Sequence, residues 1–398
     1  MTNSTTLVGD RRRQALERTS SKQRHPARSA SVRPLGPPPT AYYAIALTVT
    51  VLVMLGLVMV FSASAITSLH RGNSPWRIFN RQLLWAVVGS VSMVVFARTP
   101  YHRWRRLIRP ALIFSFCLMV LPFVPGLGSS VNDARAWVFF GPIGFQPSEF
   151  LKLSILLYCA DLLARREKEM AVLSRTLKPV MYIAGAGAIM CLAQGDLGSA
   201  IVLGAIVFAV AFIGGTPLTP FGLSGVAAGL AALAFVFTST RRYHRFTAFL
   251  NITGNKDHLS YQTYQAMIGM ATGGPVGTGI GSGPSKWGYL PLAHSDFIFA
   301  VIGEELGFVG VVAVIGGFLM LTFFGIQVAN AARDRFGTLL AGGIVTWLAV
   351  QALINVGGVS GVMPVTGLTL PFLSSGGSSL LVSMSAAGLL LNVARHVR

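Results

Sequence analysis

Only 13 of the 398 residues are acidic, so each carboxylate near an apolar run is informative. An ionised side chain at the centre of a bilayer costs about 2.5–3.5 kcal/mol or more, and such residues mark functional positions. Seven are expected on the outer side or within the membrane: Asp133, Glu149, Asp196, Asp257, Asp296, Glu304 and Glu305. Asp296 is the sharpest of them. It lies in YLPLAHSDFIFAVIGEELG, where a polar segment becomes an apolar run. A carboxylate there reaches an aqueous cleft, stays ionised near a helix N-terminus, and suits a general base acting on a hydroxyl. A helix N-cap accounts for the same placement, and both roles fit together. Glu149 and Lys152 follow FQPSE at i, i+3 spacing and share a helix face. They form either a structural ion pair or a site in which Lys152 meets a pyrophosphate and Glu149 orients it. Asp196 sits in the polar break AQGDLGSA, where it could pair with Lys152 across helices and neutralise a buried charge.

Arg135, Arg241, Arg242, Arg245, Lys256 and Lys286 supply cations to the same segments. Solvated charge or lipid head-group contact explains most of them. A diphosphate leaving group would also need such charge, or a divalent ion such as Mg or Mn. No His/Cys set has zinc spacing, there is no Walker loop and no Ser-His-Asp set. The GTGIGSG glycines do not follow a strand and are a weak phosphate-binding signal.

The elements that must position these groups are membrane spans. Charged residues make up 11% and hydrophobic residues 53% of the chain, against about a quarter charged in soluble domains. Ten apolar stretches approach the roughly 20 residues that a spanning helix needs: about 42–64, 80–97, 110–125, 148–164, 179–194, 197–214, 221–239, 297–330, 337–356 and 376–394. The expected fold is therefore all-α, a polytopic membrane protein of ten helices. The eighth stretch is too long for one straight crossing, so its first turns belong in a cavity or at the interface. Cys117, Cys159 and Cys191 lie in apolar runs and read as small core residues. No cleavable signal peptide is expected, because the first apolar run starts late and is long enough to span.

The net charge of +19 does not point to nucleic acid. With the N-terminus inside, 22 of the 32 basic residues fall in inner segments, the positive-inside pattern with both termini cytoplasmic. Residues 1–40, Arg- and Pro-rich, read as a disordered cytoplasmic tail that can touch anionic lipid, and 41–398 as one membrane domain. Three outer segments are long: 126–149, about 240–295 before the eighth span, and 357–379. Long segments without regular structure are usually functional. Within the largest, Tyr261 to Met270 reads as a short amphipathic helix on the membrane.

At QPSEFLKL, QGDLGSA, AHSDFIFAVIGEELG and PVTGLTLPFLSSGGSSLL the chain resembles the shape, elongation, division and sporulation (SEDS) family of peptidoglycan glycosyltransferases. The resemblance covers about 42–395 with the motifs in order. The VMVFSASA end of the first span and the extended basic tail look more like the division member than the elongation member. The resemblance implies a ten-helix fold that polymerises lipid II into glycan strands and releases undecaprenyl diphosphate. It implies a class B penicillin-binding protein as transpeptidase partner, other divisome proteins, and a place in the inner membrane at the division septum. By motif match Asp296 is the essential aspartate, Glu149, Lys152 and Asp196 are the polar set of the central cavity, and Gln265 in YQTYQ is a glutamine of the large outer loop. The chain departs from the family at Ala136, where an Arg often precedes the Trp, at Leu292 for the acid of LPEAH, and at Pro275 for an aromatic; the first puts a substrate contact by Arg135 in doubt. A lipid-precursor flippase, a division scaffold docked by its basic tail, and an elongation polymerase are the competing readings. A flippase needs polar groups along a path across the bilayer, whereas these acids are expected towards the outer half.

Overall fold

The computed structural model describes residues 39–397 apart from 71, 132, 133, 142, 171, 239 and 259. Asp133 and all but the end of the 1–40 tail lie outside the described residues, as do the side chains of Arg241, Arg242 and Arg245. Each apolar stretch falls on a helix. In chain order these are α1 (Thr40–His70), α2 (Trp76–Arg98), α3 (Ile108–Val120), α4 (Pro147–Arg165), α5 (Leu177–Ala193), α6 (Leu197–Ile213) and α7 (Leu218–Phe237). The 240–295 segment adds α8 (Thr240–Leu250) and α9 (Tyr261–Gly273), followed by α10 (Ile298–Asn330), α11 (Arg335–Val359) and α12 (Gly377–Arg395). Six of them, α1, α2, α7, α10, α11 and α12, are long and apolar enough to cross a membrane. Helices α5 and α6 have 17 residues each. Helix α4 is longer but carries Glu149, Lys152, Asp161 and Arg165.

The core gathers around α11 and α12. Helix α12 is buried along almost its whole length, whereas α7 exposes nearly all of its apolar surface, as a helix facing lipid does. Helix α12 packs on α2, and α10 packs on both α1 and α11. Trp347, Phe297 and Phe336 are among the largest fully buried side chains. Cys159 and Cys191 are buried as expected, but Cys117 is exposed on the helix surface.

Two of the long segments between spans are more ordered than their sequences suggest. The 126–149 segment is not an irregular loop. It forms an antiparallel sheet of β1 (Gly128–Val131), β2 (Ala134–Phe140) and β3 (Ile143–Phe145), with Ser129 opposite Trp137 and Val138 opposite Phe145. The run AWVFF is β-branched and aromatic, and it buries Ala136 and Val138 on one face. The expected helix at Tyr261–Met270 extends to Gly273 and packs against the start of α10.

The long eighth stretch is two helices joined at a break. Gly307 has φ 65° and ψ −160°, a conformation that only glycine adopts without strain. The glycine-rich segment supplies the hydrogen bonds that the break removes. The amides of Thr278 and Gly279 donate to the carbonyls of Glu304 and Glu305, both at 3.0 Å, and the amides of Phe308 and Val309 donate to the carbonyls of Gly274 and Pro275 at 2.8 and 3.2 Å. A Cβ on Gly277 would stand 2.2 Å from the Glu305 carbonyl oxygen. These glycines therefore allow two backbones to meet.

Candidate functional site

Asp296 stands just before α10. It is not the cap of that helix: Phe297 occupies the cap position, and no side chain bonds there. The half-buried carboxylate instead lines a small pocket with Asn355, Gly358, Val365, Thr366 and Gly367. The pocket has room for roughly one water-sized group. Gly367, at φ 74°, brings its backbone so close that a Cβ there would lie 3.8 Å from Asp296 Oδ2. No ion pair to Asp296 occurs among the described residues. Burial pushes its carboxyl up to about 7, partly offset by a hydrogen bond from Ser295. The expectation of a plainly ionised carboxylate is thus corrected. A base poised near neutral pH balances availability against proton affinity.

Helix α11 joins this pocket to the Glu149–Lys152 pair of α4. Lys152, fully buried, pairs with Glu149 Oε2 at 2.9 Å. Its ammonium also donates to Gln351 Oε1 at 3.0 Å and lies 5.4 Å from the Trp347 ring centre. Gln351 Oε1 accepts from Trp347 Nε1 at 2.8 Å, and its Nε2 donates to the Thr369 carbonyl at 2.9 Å. One turn further along α11, Asn355 Nδ2 donates to the carbonyls of Leu368 at 2.6 Å and Asp296 at 2.9 Å. Residues four apart on a helix share a face. Gln351 and Asn355 therefore hold two consecutive carbonyls of the 357–379 segment, and one helical turn separates the Lys152 cluster from the Asp296 pocket. The amide of Ser375 bonds the His294 carbonyl at 2.9 Å and ties the same segment to the approach to Asp296.

Gln351 and Asn355 escaped the sequence reading. Their signal is present, since two amides four residues apart interrupt the apolar run VQALINVGG. Acids and cations drew attention first, although a buried amide must also find partners.

Other expectations change. Asp196 does not pair with Lys152. It caps α6, accepting from the Ser199 amide at 2.9 Å, and also accepts from Gln146 Nε2 at 2.7 Å and Ser148 Oγ at 3.2 Å. Lys286 is not an open cation for a diphosphate. It is 3% exposed and pairs with Glu305 Oε1 at 2.9 Å, while Ser62 Oγ of α1 donates to the same carboxylate at 2.7–2.8 Å. Glu304 is buried too and accepts from the Ser285 amide at 3.2 Å. Both glutamates thus fasten the glycine-rich segment to α10. Arg135 is exposed on β2 with its backbone amide bonded to the Gln194 carbonyl. Gln265 is half-buried on α9. Among the described residues no three His, Cys, Asp or Glu side chains form a metal-binding group. The carboxylates nearest in sequence to Asp296, Glu304 and Glu305, are committed elsewhere, so these residues do not build a dedicated cation site.

The FtsW/RodA/SpoVE cell cycle protein model matches residues 43–398. A probable peptidoglycan glycosyltransferase FtsW from Geobacter sp. (strain M18) is 37% identical over 348 residues, 87% of this chain and 95% of that one. The corresponding protein of Mycobacterium tuberculosis (strain ATCC 25618 / H37Rv) is 38% identical, covering 91% of this chain and 69% of its own. Stage V sporulation protein E of Bacillus subtilis (strain 168) is 35% identical over 87% of this chain and 95% of that one. Among solved structures, a chain of a peptidoglycan synthase complex that coordinates polymerisation and crosslinking superposes with TM-score 0.73 at 30% identity, covering 89% of this chain and 97% of that one. The rod shape determining protein RodA of Thermus thermophilus superposes at 0.63 with 28% identity, covering 89% and 96%.

Proposed function

Because the chain belongs to the FtsW/RodA/SpoVE family, we propose that it is a peptidoglycan glycosyltransferase of the membrane that polymerises lipid II during septal wall synthesis. The observation that carries the reading is Asp296, a carboxylate without a cationic partner among the described residues, in a pocket, with its proton affinity raised to near neutral. One lipid II offers its sugar 4-hydroxyl to Asp296. The carboxylate takes the proton as that oxygen attacks the anomeric carbon of the growing chain, the configuration inverts, and the lipid diphosphate departs. A diphosphate leaves without protonation, so the second carboxylic acid of glycoside hydrolysis is unnecessary. Lys152 on α4 is as buried and paired as Lys286, so it meets the leaving charge only in a state in which Glu149 has released it and the diphosphate can reach it. The pocket is too small for a sugar ring and widens when substrate enters.

The ten apolar stretches and the placement of basic residues support ten crossings with both termini in the cytoplasm, an arrangement in which Asp296 faces the outer side of the plasma membrane. A class B penicillin-binding protein is the proposed partner, since the superposed chain comes from a synthase that joins polymerisation to crosslinking. The test reconstitutes the full chain with that partner and lipid II in liposomes and follows glycan product and lipid translocation separately. Polymer from wild type and none from folded Asp296→Asn is expected. Polymer from Asp296→Asn, or translocation without polymer from wild type, overturns the reading.

A further inference from the structure

Asn355 holds one polar atom in reserve. Its Nδ2 spends both hydrogens, on the Asp296 and Leu368 carbonyls. That bonding fixes the orientation of the amide, because a flipped side chain would set its oxygen against two carbonyl oxygens. Its Oδ1 is buried and has no hydrogen-bond partner among the described residues, and the residue is 5% exposed. A buried acceptor without a partner loses the solvation it had in water, and the great majority of buried polar atoms avoid that state. Asn355 lines the same pocket as Asp296 and residues 365–368.

On the reading of the pocket given above, we infer that Asn355 is a second substrate-contacting residue: its Oδ1 accepts a hydrogen bond from an O–H or N–H of the acceptor sugar whose hydroxyl Asp296 deprotonates. The two contacts orient the sugar, since one hydrogen bond leaves a ring free to turn about it and two fix which hydroxyl meets the base. The Nδ2 bonds place this acceptor relative to the base, because the same amide grips the main chain of Asp296. The unused oxygen therefore gives the pocket its selectivity for a donor-bearing sugar face. A site built to hydrogen-bond a substrate discriminates strongly against the analogue that lacks the donor.

The test combines the protein variant with the substrate. Acceptor analogues of lipid II, each lacking one hydroxyl of the terminal sugar or carrying an N-methylated acetamide, are offered to the full chain in complex with its partner. Wild type should lose about 10- to 100-fold in kcat/KM with one analogue besides the one missing the reacting hydroxyl. Asn355→Leu should lose a similar factor with natural lipid II and lose nothing further with that analogue. A purely structural role would lower activity with every acceptor alike and would shift the acid limb of the pH profile by displacing Asp296. Equal losses in wild type and Asn355→Leu for every analogue overturn the inference and leave Oδ1 to a water molecule. If Asn355→Leu does not fold, Asn355→Gln, which keeps both the donor and the acceptor of the amide, is compared with Asn355→Ala in the same series. Retention of the selectivity by Asn355→Gln and its loss in Asn355→Ala is expected, and the same selectivity in both overturns the inference. Polymer from Asp296→Asn would sink the reading of the pocket as a whole; equal losses with Asp296→Asn inactive sink only the assignment of Asn355.

Discussion

Asp296 on one side, and Glu304 with Glu305 on the other, stand at the start of the same helix, and the fold treats them in opposite ways. Glu305 is matched by Lys286 and Ser62, and Glu304 by the Ser285 amide. Asp296 has no cationic partner among the described residues, lines a pocket, and is left with a raised proton affinity. A carboxylate whose lone pairs are committed to ammonium, hydroxyl and amide groups is a fastener and a poor base. One that is half-buried and lacks an ammonium partner can take a proton. The difference lies in what packs against each side chain, since all three are acids at the mouth of an apolar run.

That contrast predicts opposite outcomes for neutralising the two kinds of acid. The largest effect is on catalysis. Asp296→Asn should lower glycan formation by at least about 10²- to 10⁴-fold, the range that a positioned general base supplies, without loss of folded protein in a thermal melt. The latch should respond in stability. Lys286→Met or Glu305→Gln alone leaves a buried partner uncompensated and should cost about 3–5 kcal/mol, whereas the double replacement Lys286→Met/Glu305→Leu should recover much of it. Thermal melts of the three proteins in one detergent would check this, and equal damage from single and double variants would break the comparison. Gly307→Ala should cost about 1–3 kcal/mol for backbone conformation, and more for the clash, as its Cβ would lie 2.2 Å from the Gly277 amide nitrogen. The same melts would show it.

The smallest and sharpest effect is in pH. Activity should rise through an acid limb near 7 as Asp296 loses its proton. Stability should move the other way. The folded carboxyl holds its proton up to about 7, whereas the unfolded one loses it near 4, so the contribution of this group to stability falls as pH rises across that window. Asp296→Asn should therefore melt at a higher temperature than wild type at pH 8, with the advantage shrinking towards pH 4. Melting curves at those two pH values decide it, and no such crossover would mean that the carboxylate is better solvated than its burial implies.

Much of this molecule was legible in its residue order. The apolar runs located the ten helical stretches because a span must satisfy its backbone internally and show hydrocarbon to lipid, and both demands are written in composition. The excessive length of the eighth run marked its first turns as something other than part of a straight crossing, though not the break at Gly307. The i, i+3 spacing gave the Glu149–Lys152 pair, since helix geometry alone brings those side chains together. The switch from polar to apolar sequence singled out Asp296. Tertiary packing decided the rest. It made Asp196 a cap rather than a partner of Lys152 and buried Lys286, because pairing across elements depends on which faces meet. It folded 128–145 into a sheet and placed the break of α10 under the glycine-rich segment, whose carbonyls and amides complete it. Above all it set Gln351 and Asn355 against consecutive carbonyls and left one amide oxygen beside Asp296. Those bonds join residues far apart in the chain, and no local pattern encodes which distant backbone a buried amide will meet.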